Sequence, residues 1–275
     1  MKTITLPPLR KLLSSFLFIG IVFSLNAQDF QGYAEYFSKS GLDLGSWGAT
    51  MSEAQKKQVQ ERLKNRLEKT YILRFNVEES IFVEEEKLDA ISGATDTWGK
   101  NFAPGDKYKN VKQDVLLQEQ EFYGKKFLVR DKLLKFNWQM SDETKKIGDY
   151  QCIKAVALIP SDSLTWYDFS WGKLRNNESN ETNSDVEMTQ VIAWYTPQIP
   201  VSHGPSDYWG LPGLILEVSA GNTTMLCSKI ILNPENKTKI KAPEKGNEVT
   251  KKEYQDIIMT KMSEMRNMYS GRRGR

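Results

Sequence analysis

Short runs of alternating apolar and polar residues, separated by turns of only a few residues, constrain the fold of this chain most. One such turn is Tyr123-Gly124-Lys125. Connections this short join antiparallel neighbours, because a parallel crossover needs about a dozen residues or more. The predicted strands are 31–37, 71–76, 80–85, 115–121, 126–130, 133–140, 152–159, 188–196, 214–219 and 224–232. The pattern therefore predicts an antiparallel meander.

Two helices are predicted to flank most of these strands. Ser52 and Gln55 form a capping box that starts a charged helix reaching about residue 69. Thr250 and Glu253 form a second capping box, which starts a C-terminal helix over 250–268. The predicted fold class is α+β: a strongly curved antiparallel β-sheet or incomplete barrel, with both helices set against its concave side or edge.

The first 27 residues have the pattern of an export signal. Lys2, Arg10 and Lys11 precede an apolar region over 12–25, and Ala27 offers a small residue at the cleavage site. The apolar region is shorter than the roughly 18 residues that a membrane span needs. We expect the mature chain to begin at Gln28 in the periplasm, at the cell surface or outside the cell, with no later transmembrane segment.

Removal of this signal also removes the excess positive charge. The whole chain carries 38 Lys and Arg residues against 35 Asp and Glu, and the signal contains three basic residues and no acidic one. The mature chain is then formally neutral. A neutral chain gives no basis for nucleic-acid binding.

Residues 28–275 are predicted to form a single domain with one insertion at 161–185. Trp166, Tyr167, Phe169 and Trp171 precede an asparagine-rich stretch within it. This composition predicts a surface insertion with an aromatic base and a flexible polar tip.

Three motifs follow one another in an order that is similar to a known family. They are Gly148-Asp149-Tyr150-Gln151-Cys152-Ile153-Lys154-Ala155, Ala193-Trp194-Tyr195-Thr196-Pro197-Gln198-Ile199-Pro200 and Gly210-Leu211-Pro212-Gly213-Leu214-Ile215. The chain resembles the GLPGLI family, a Porph_ging-type group of secreted envelope proteins without an established biochemical role. The resemblance implies an envelope location and a TonB-dependent outer-membrane transporter as partner, and it supplies no catalytic residue.

The last motif also predicts a local conformation. A Pro followed by a Gly suits the two central positions of a type II turn, with Gly213 at positive φ. A buried strand is expected to follow at once.

The sequence contains no pattern typical of an enzyme. His203 is the only histidine, which excludes sites that need two imidazoles, and G-x-S-x-G and phosphate-binding glycine motifs are absent. His203 lies in a proline-rich stretch and is predicted to be a loop residue without a catalytic role. A non-enzymatic protein is expected.

Two cysteines, Cys152 and Cys227, lie in apolar strand-like runs. An exported protein meets an oxidising compartment, where such a pair is able to form a disulfide. Two unpaired thiols buried in the core are the other interpretation. The sequence leaves both open.

The C-terminal helix suggests one metal hypothesis. Met259, Met262, Met265 and Met268 recur at every third residue, and thioethers are soft ligands that select Cu(I). The alternative is a face that docks on the sheet, since Met fills irregular gaps in a core. Copper binding or sequestration is therefore the alternative function.

A partner surface is predicted where aromatic residues surround the Leu211-Pro212 turn. Its residues are Trp194, Tyr208, Trp209, Leu211 and Pro212. Aromatic rims of curved sheets bind apolar or peptide ligands. The predicted function is thus binding of an apolar, peptidic or protein partner in the envelope.

Overall fold

The computed structural model describes residues 30–41, 48–85, 105–167, 174, 186–236 and 239–271. These residues form one twelve-stranded sheet and three helices. The strands are β1 Gln31–Ser40, β2 Glu68–Asn76, β3 Glu79–Glu84, β4 Lys107–Asn110, β5 Val115–Phe122, β6 Lys125–Asp131, β7 Gln139–Ile147, β8 Tyr150–Pro160, β9 Met188–Thr196, β10 Leu214–Ala220, β11 Thr223–Leu232 and β12 Asn247–Val249. The helices are α1 Glu53–Leu67, α2 Ser161–Leu164 and α3 Lys251–Gly271.

The sheet is open, with β12 at one edge and β7 at the other. The strand order is β12-β6-β5-β4-β3-β2-β1-β11-β10-β9-β8-β7. β12 pairs with β6 in parallel, and the other pairs are antiparallel. The predicted mostly antiparallel sheet is confirmed. Since β1 pairs with both β2 and β11, the two halves of the chain join at its first strand.

The interior contains a large apolar cluster where β1, β2, β3, β10 and β11 meet. Its fully buried members include Ala34, Tyr36, Leu73, Phe75 and Leu216. We call these residues, with Phe82, Ile199, Val201 and Leu214, the apolar cluster. The Tyr36 hydroxyl donates to the backbone carbonyl of Ile215 at 2.6 Å, which satisfies its polar end inside the core.

The two capping boxes occur as predicted, but the helices pack differently. The backbone N–H of Ser52 donates to Gln55 at 2.8 Å, and that of Thr250 donates to Glu253 at 2.7 Å. α1 lies beside β1 and β2 and has no fully buried side chain among those described, whereas α3 buries Tyr254 against β6. The prediction that both helices dock on the sheet is therefore only partly right, because the thin apolar stripe of α1 gives it little to bury.

The predicted strand at 133–140 is wrong. No strand is present at 132–138, and β7 starts only at Gln139. The indole N–H of Trp209 donates to the Leu134 carbonyl at 2.6 Å, and the indole N–H of Trp138 donates to the Trp209 carbonyl at 2.9 Å. Indole-to-backbone hydrogen bonds in both directions thus join the 203–210 turn to this segment, in place of the predicted strand ladder.

The predicted type II turn at Pro212-Gly213 is also wrong. Gly213 does not have a positive φ, and the residue of this motif that does is Gly210, at 93°. A Cβ atom on Gly213 would lie 2.2 Å from the Thr196 carbonyl oxygen. Gly213 is therefore required because two backbone segments approach closely where β10 begins beside β9.

Among the described residues, no helix is both long and apolar enough to cross a membrane. The predicted signal, 1–27, lies outside the described residues. Most of the insertion, 168–173 and 175–185, lies outside them as well. Trp166, before this gap, and Leu174 are both buried.

Candidate functional site

β4 is a short strand whose four residues are all buried, although two of them are lysines. Lys107 is 3% exposed and Lys109 is fully buried. The Lys107 ammonium forms an ion pair with Asp207, and it also donates to the Ser206 hydroxyl at 3.1 Å. Asp207 reaches it from the turn before β10. A buried charge pair of this kind needs both members, because each alone would lack compensation.

Lys109 has a different set of partners in the same turn. Its ammonium donates to the backbone carbonyls of Gly204 and Tyr208, each at 2.9 Å. Burial lowers the pKa of Lys109 to about 7, against the opposing effect of Asp207. The two lysines of β4 therefore hold the 203–209 turn onto the sheet.

β5 adds two glutamines to the same face of the sheet. Gln118 pairs in register with Lys107, and Gln120 pairs with Phe127 of β6. Residues two apart on a strand share a face, so Gln118 and Gln120 point to the same side. Among the described residues, neither the nitrogen nor the oxygen of either buried amide has a hydrogen-bond partner.

Helix α3 and Trp166 pack over this face of the sheet. The ring of Tyr254 lies 5.4 Å from Phe127 and 6.0 Å from Trp166. The Lys251 ammonium lies 5.5 Å from the Trp166 ring. Within the described part of the chain, the Trp166 indole N–H and the Tyr254 hydroxyl also lack hydrogen-bond partners.

These pairings and contacts group seven residues, which we call the polar cluster. Asp207 binds Lys107, which pairs with Gln118. Gln120 pairs with Phe127, whose ring contacts Tyr254, and Tyr254 contacts Trp166. The charge of Lys251, beside Trp166, acts on Asp207. The polar cluster consists of Lys107, Gln118, Gln120, Trp166, Asp207, Lys251 and Tyr254.

Burial and neighbouring charges lower the pKa values of Asp207 and Lys251 for different reasons. Burial acts to raise the pKa of Asp207, but the charges of Lys107 and Lys251 outweigh it and hold that pKa below its usual value. Burial lowers the pKa of Lys251. The charges of Lys107 and Asp207 thus compensate each other within the protein. The amides of Gln118 and Gln120 have no hydrogen-bond partner among the described residues.

His203 lies beside this site and not in an exposed loop. It is fully buried, and its ring lies 6.3 Å from Phe75. Burial, followed by the charge of Lys109, lowers the pKa of His203 to about 3, while the nearby backbone of Asn76 and Val77 opposes this shift. Among the described residues neither ring nitrogen makes a hydrogen bond of normal geometry. The imidazole is therefore neutral at physiological pH.

The predicted partner surface is not a single surface. Leu211 is 1% exposed and belongs to the core, whereas Pro212 is exposed. Trp194 lies under the Lys145 ammonium at 4.3 Å, while Tyr208 packs against Phe136 with 5.6 Å between ring centroids. Trp209 is tied to Leu134 by its indole. Leu211 must be removed from the prediction, because the turn points this side chain inward.

The two cysteines are free thiols, and both are buried. Both pack with the residues of the apolar cluster. Burial raises the pKa of Cys152 to about 11 and that of Cys227 to about 12. The structure thus has the buried-thiol arrangement and not the disulfide, and such thiols are poor nucleophiles.

The four methionines of α3 are divided between core and solvent. Met262 is buried between α3 and the sheet, and Met265 packs beside it. Met268 is 62% exposed. Met262 and Met265 thus have the packing role that was the alternative to copper binding, and copper binding by the four stays a prediction. The described residues also include no group of three or more His, Cys, Asp or Glu side chains able to hold a metal ion.

Residues 138–217 match a family model described as "Protein of unknown function (Porph_ging)". A Porph_ging domain is therefore present in this part of the chain. It includes β8, β9 and the turn that supplies Asp207. No curated protein matches the chain.

Two solved structures are similar to this chain at low identity, and both are described as PNGF-II, in C2 and P21 space groups. Each is 16% identical, and the TM-scores are 0.47 and 0.46. The matches cover 83% of this chain but only 32% and 33% of the PNGF-II chains. This chain therefore spans about a third of the length of those proteins.

Sequence reasoning missed the charged and amide side chains of the polar cluster, which are Lys107, Gln118, Gln120, Asp207 and Lys251. The stretch Lys107-Tyr108-Lys109-Asn110 reads as a polar loop, and the glutamines of β5 alternate with glutamates, so both stretches look exposed. One feature of the sequence does indicate their burial. Gln118 and Gln120 lie on the same face of the strand as the apolar Phe122, which packs against α3. That shared face marks them as inward-facing residues.

Proposed function

We propose that this chain is an exported, non-enzymatic envelope protein that binds a polar ligand at the polar cluster. The observation that carries the proposal is a set of six buried polar atoms without a hydrogen-bond partner among the described residues. They are the amide nitrogens and oxygens of Gln118 and Gln120, the indole nitrogen of Trp166 and the hydroxyl oxygen of Tyr254.

The cost of leaving these atoms without partners supports a bound molecule. Each buried unsatisfied polar group costs about 1 to 3 kcal/mol. A folded domain is stable by only about 5 to 15 kcal/mol in total. Six such atoms at one place are therefore expensive to the free protein, and a ligand that bonds to them recovers that cost.

The chemistry of the six atoms describes the ligand. The glutamine amides offer both donors and acceptors, and the indole and hydroxyl groups offer donors. The Lys107 and Asp207 charges already neutralise each other. The ligand is thus an uncharged group rich in both donors and acceptors, which favours the peptidic partner over the apolar one.

The environments of the thiols, the imidazole and Lys109 in the described part of the chain support a non-enzymatic role. Among the described residues, the thiols are buried with raised pKa values, and His203 is neutral and fully buried. The amine of Lys109 is directed at two backbone carbonyls. Each of these groups is positioned as a structural element and not as a nucleophile or base.

The proposed location and partner rest on the sequence. The basic and apolar pattern of 2–27 favours export, and the Porph_ging domain over 138–217 supports the GLPGLI assignment. We propose a TonB-dependent outer-membrane transporter as partner on the same resemblance. Intact-mass analysis of the envelope protein tests export, and an uncleaved chain would contradict it.

Native mass spectrometry tests the binding proposal. Protein purified gently from its own envelope is compared with a Gln118→Met and Gln120→Met double variant, which keeps side-chain length but removes both amides. Glu121→Gln serves as a matched control, because Glu121 is exposed on the same strand. We expect a bound molecule on the wild type and on the control, but not on the double variant. Equal occupancy in all three, or none in the wild type, would reject the proposal.

A further inference from the structure

A cleft lies on the outer face of the sheet, which is the face that points away from the apolar cluster. Its volume is about 280 Å³, close to the lower limit of about 300 Å³ for sites that hold small molecules. Its lining includes Tyr33 of β1, Arg74 of β2 and Ile231 of β11. Tyr33 and Arg74 alternate along their strands with Ala34 and Leu73 of the apolar cluster, so they point to the opposite face.

Strand pairing places a cationic side chain on each side of Tyr33. Arg74 and Ile231 both pair with Tyr33 in register, and Lys229 lies two residues before Ile231 on the same face of β11. Only β1 separates β2 from β11, so these two strands lie about 9.6 Å apart, which is twice the strand spacing of about 4.8 Å. A single small group above Tyr33 is therefore within reach of both cationic side chains.

The polar side chains of the cleft are free to bind a ligand. With the other described residues they make neither hydrogen bonds nor ion pairs; they are Gln31, Tyr33, Arg74, Lys229 and Asn236. None of the described residues that line the cleft is acidic. A guanidinium group presents paired N–H donors that match the two oxygens of a carboxylate. The cleft is thus suited to an anionic group.

Two carboxylates outside the cleft limit the charge of that group. Glu35 pairs with Lys229 in register. Burial, followed by the charges of Glu35 and Glu85, raises the pKa of Tyr33 against the opposing effect of Arg74. Tyr33 therefore keeps its proton at physiological pH and is able to donate it in a hydrogen bond. The same two carboxylates would repel a doubly charged phosphate more strongly than a singly charged carboxylate.

The cleft also has an apolar side. Ile231 is 40% exposed there, and Ile240, which lines the cleft as well, packs against Tyr108 and Leu117. A ligand that covers the exposed part of Ile231 removes apolar surface from water, which favours binding. The preferred ligand thus has an apolar group close to its charged group.

We infer that this cleft binds a small carboxylate ligand that carries a neighbouring apolar group. The carboxylate lies between the Arg74 guanidinium and the Lys229 ammonium, and the Tyr33 O–H donates to it. The apolar group covers Ile231.

This site is separate from the polar cluster, so the inference goes beyond the proposed function. Lys107 and Gln118 of the polar cluster belong to the same row of paired residues as Ala34 and Leu73, on the opposite face of the sheet. Ligand binding at one site therefore needs no residue of the other.

A probe with the required chemistry is N-acetyl-L-leucine, which combines one carboxylate with an apolar side chain. Its affinity for the mature chain is measured by NMR titration, beside two matched compounds. We expect the uncharged N-acetyl-L-leucine amide to bind at least about tenfold more weakly. N-acetylglycine, which lacks the apolar side chain, should bind at least about threefold more weakly. No binding of N-acetyl-L-leucine, or equal affinity for the uncharged amide, would overturn the inference.

Variants locate the bound probe. Arg74→Gln should weaken binding at least about tenfold, and it should fold normally because Arg74 has no ion pair or hydrogen bond with the described residues. Lys126→Gln is the control, because Lys126 is exposed on the outer face but does not line this cleft. It should change the affinity by less than about twofold. Equal losses in both variants would indicate general attraction by surface charge and would overturn the site.

The double variant Gln118→Met with Gln120→Met separates this inference from the proposed function. We expect it to bind N-acetyl-L-leucine as the wild type does. If the double variant loses the probe and Arg74→Gln keeps it, the probe binds at the polar cluster, and the inference about the cleft is wrong while the proposed function stands.

Discussion

One face of the sheet is apolar where β1 and β2 lie and polar where β4 and β5 lie. A single row of paired residues crosses both regions: Ala34, Leu73, Phe82, Lys107, Gln118 and Val129. All six are buried. The first three belong to the apolar cluster, where burial of apolar surface supplies stability. The next two belong to the polar cluster, where burial adds little stability and leaves amides available for bonding.

Burial therefore has two different roles within one sheet. In the apolar cluster the side chains fill space and satisfy each other. In the polar cluster, Lys107 pairs with Asp207, and the amides of Gln118 and Gln120 have no hydrogen-bond partner among the described residues. Removal of an unpaired amide in the polar cluster should therefore be neutral or stabilising, whereas truncation in the apolar cluster should destabilise the protein.

The largest expected effect is on the ion pair of the polar cluster. Asp207→Ala leaves the Lys107 ammonium buried without its counter-charge, so we expect a loss of about 3 to 5 kcal/mol in the free energy of unfolding. Urea unfolding at pH 7 measures it. The double variant Lys107→Met with Asp207→Leu should lose much less, because no isolated charge remains. A double variant as unstable as Asp207→Ala would show that this region also supplies stability.

The matched change in the apolar cluster is Leu73→Ala. Leu73 is fully buried in the same row, and its truncation leaves a cavity. We expect it to lower the free energy of unfolding by about 2 to 5 kcal/mol. Ligand occupancy in native mass spectrometry, scored on the folded fraction, should not change. Loss of ligand from folded Leu73→Ala would mean that the two regions are not separate in function.

His203 lies between the two regions, and its burial makes the free energy of unfolding depend on pH. Its folded-state pKa of about 3 is below the ordinary value of 6.5, so the unfolded chain binds the additional proton between these pH values. Stability is therefore lost as the pH falls below 6.5. We expect this residue to account for about 2 kcal/mol of the loss between pH 7 and pH 5.

A His203→Gln variant isolates that contribution. Urea unfolding of both proteins at pH 7 and pH 5 should show a smaller acid-induced loss in the variant. Identical losses would mean that His203 takes up its proton in the folded protein as readily as in the unfolded chain.

The smallest expected effect is that of Gln118→Met in the ligand-free protein. Because the amide has no partner among the described residues, its removal should change the free energy of unfolding by less than about 0.5 kcal/mol, or should raise it. Differential scanning calorimetry of ligand-free protein measures the change. A loss of about 2 kcal/mol or more would show that Gln118 makes a stabilising hydrogen bond after all.

Local patterns in the sequence predicted the bounds of helices and strands better than they predicted the contacts between buried side chains. Capping boxes at Ser52 and Thr250 locate the starts of α1 and α3, and β9 has the predicted bounds of 188–196. These features depend on neighbouring residues. The strand predicted at 133–140 is wrong because the indoles of Trp138 and Trp209 form hydrogen bonds between residues that are 71 and 75 positions apart in the chain.

The polar cluster could not be predicted for the same reason. Lys107 is buried because Asp207, 100 residues later in the chain, lies over it. Without the strand order, a stretch such as Lys107-Tyr108-Lys109 reads as exposed. Gly213 is a similar case. The sequence predicts that a glycine is needed at this position, but the reason is the close approach of the Thr196 backbone and not a positive φ of Gly213.

The late position of α3 in the chain affects how the protein is assembled. β5 is synthesised early, whereas α3, which packs against its Phe122, is made about 130 residues later. Until then this face of the sheet is open to water. Apolar side chains there would promote self-association of the unfinished chain. Lysines and glutamines remain well hydrated during that interval, so the polar interior also protects the growing protein from aggregation.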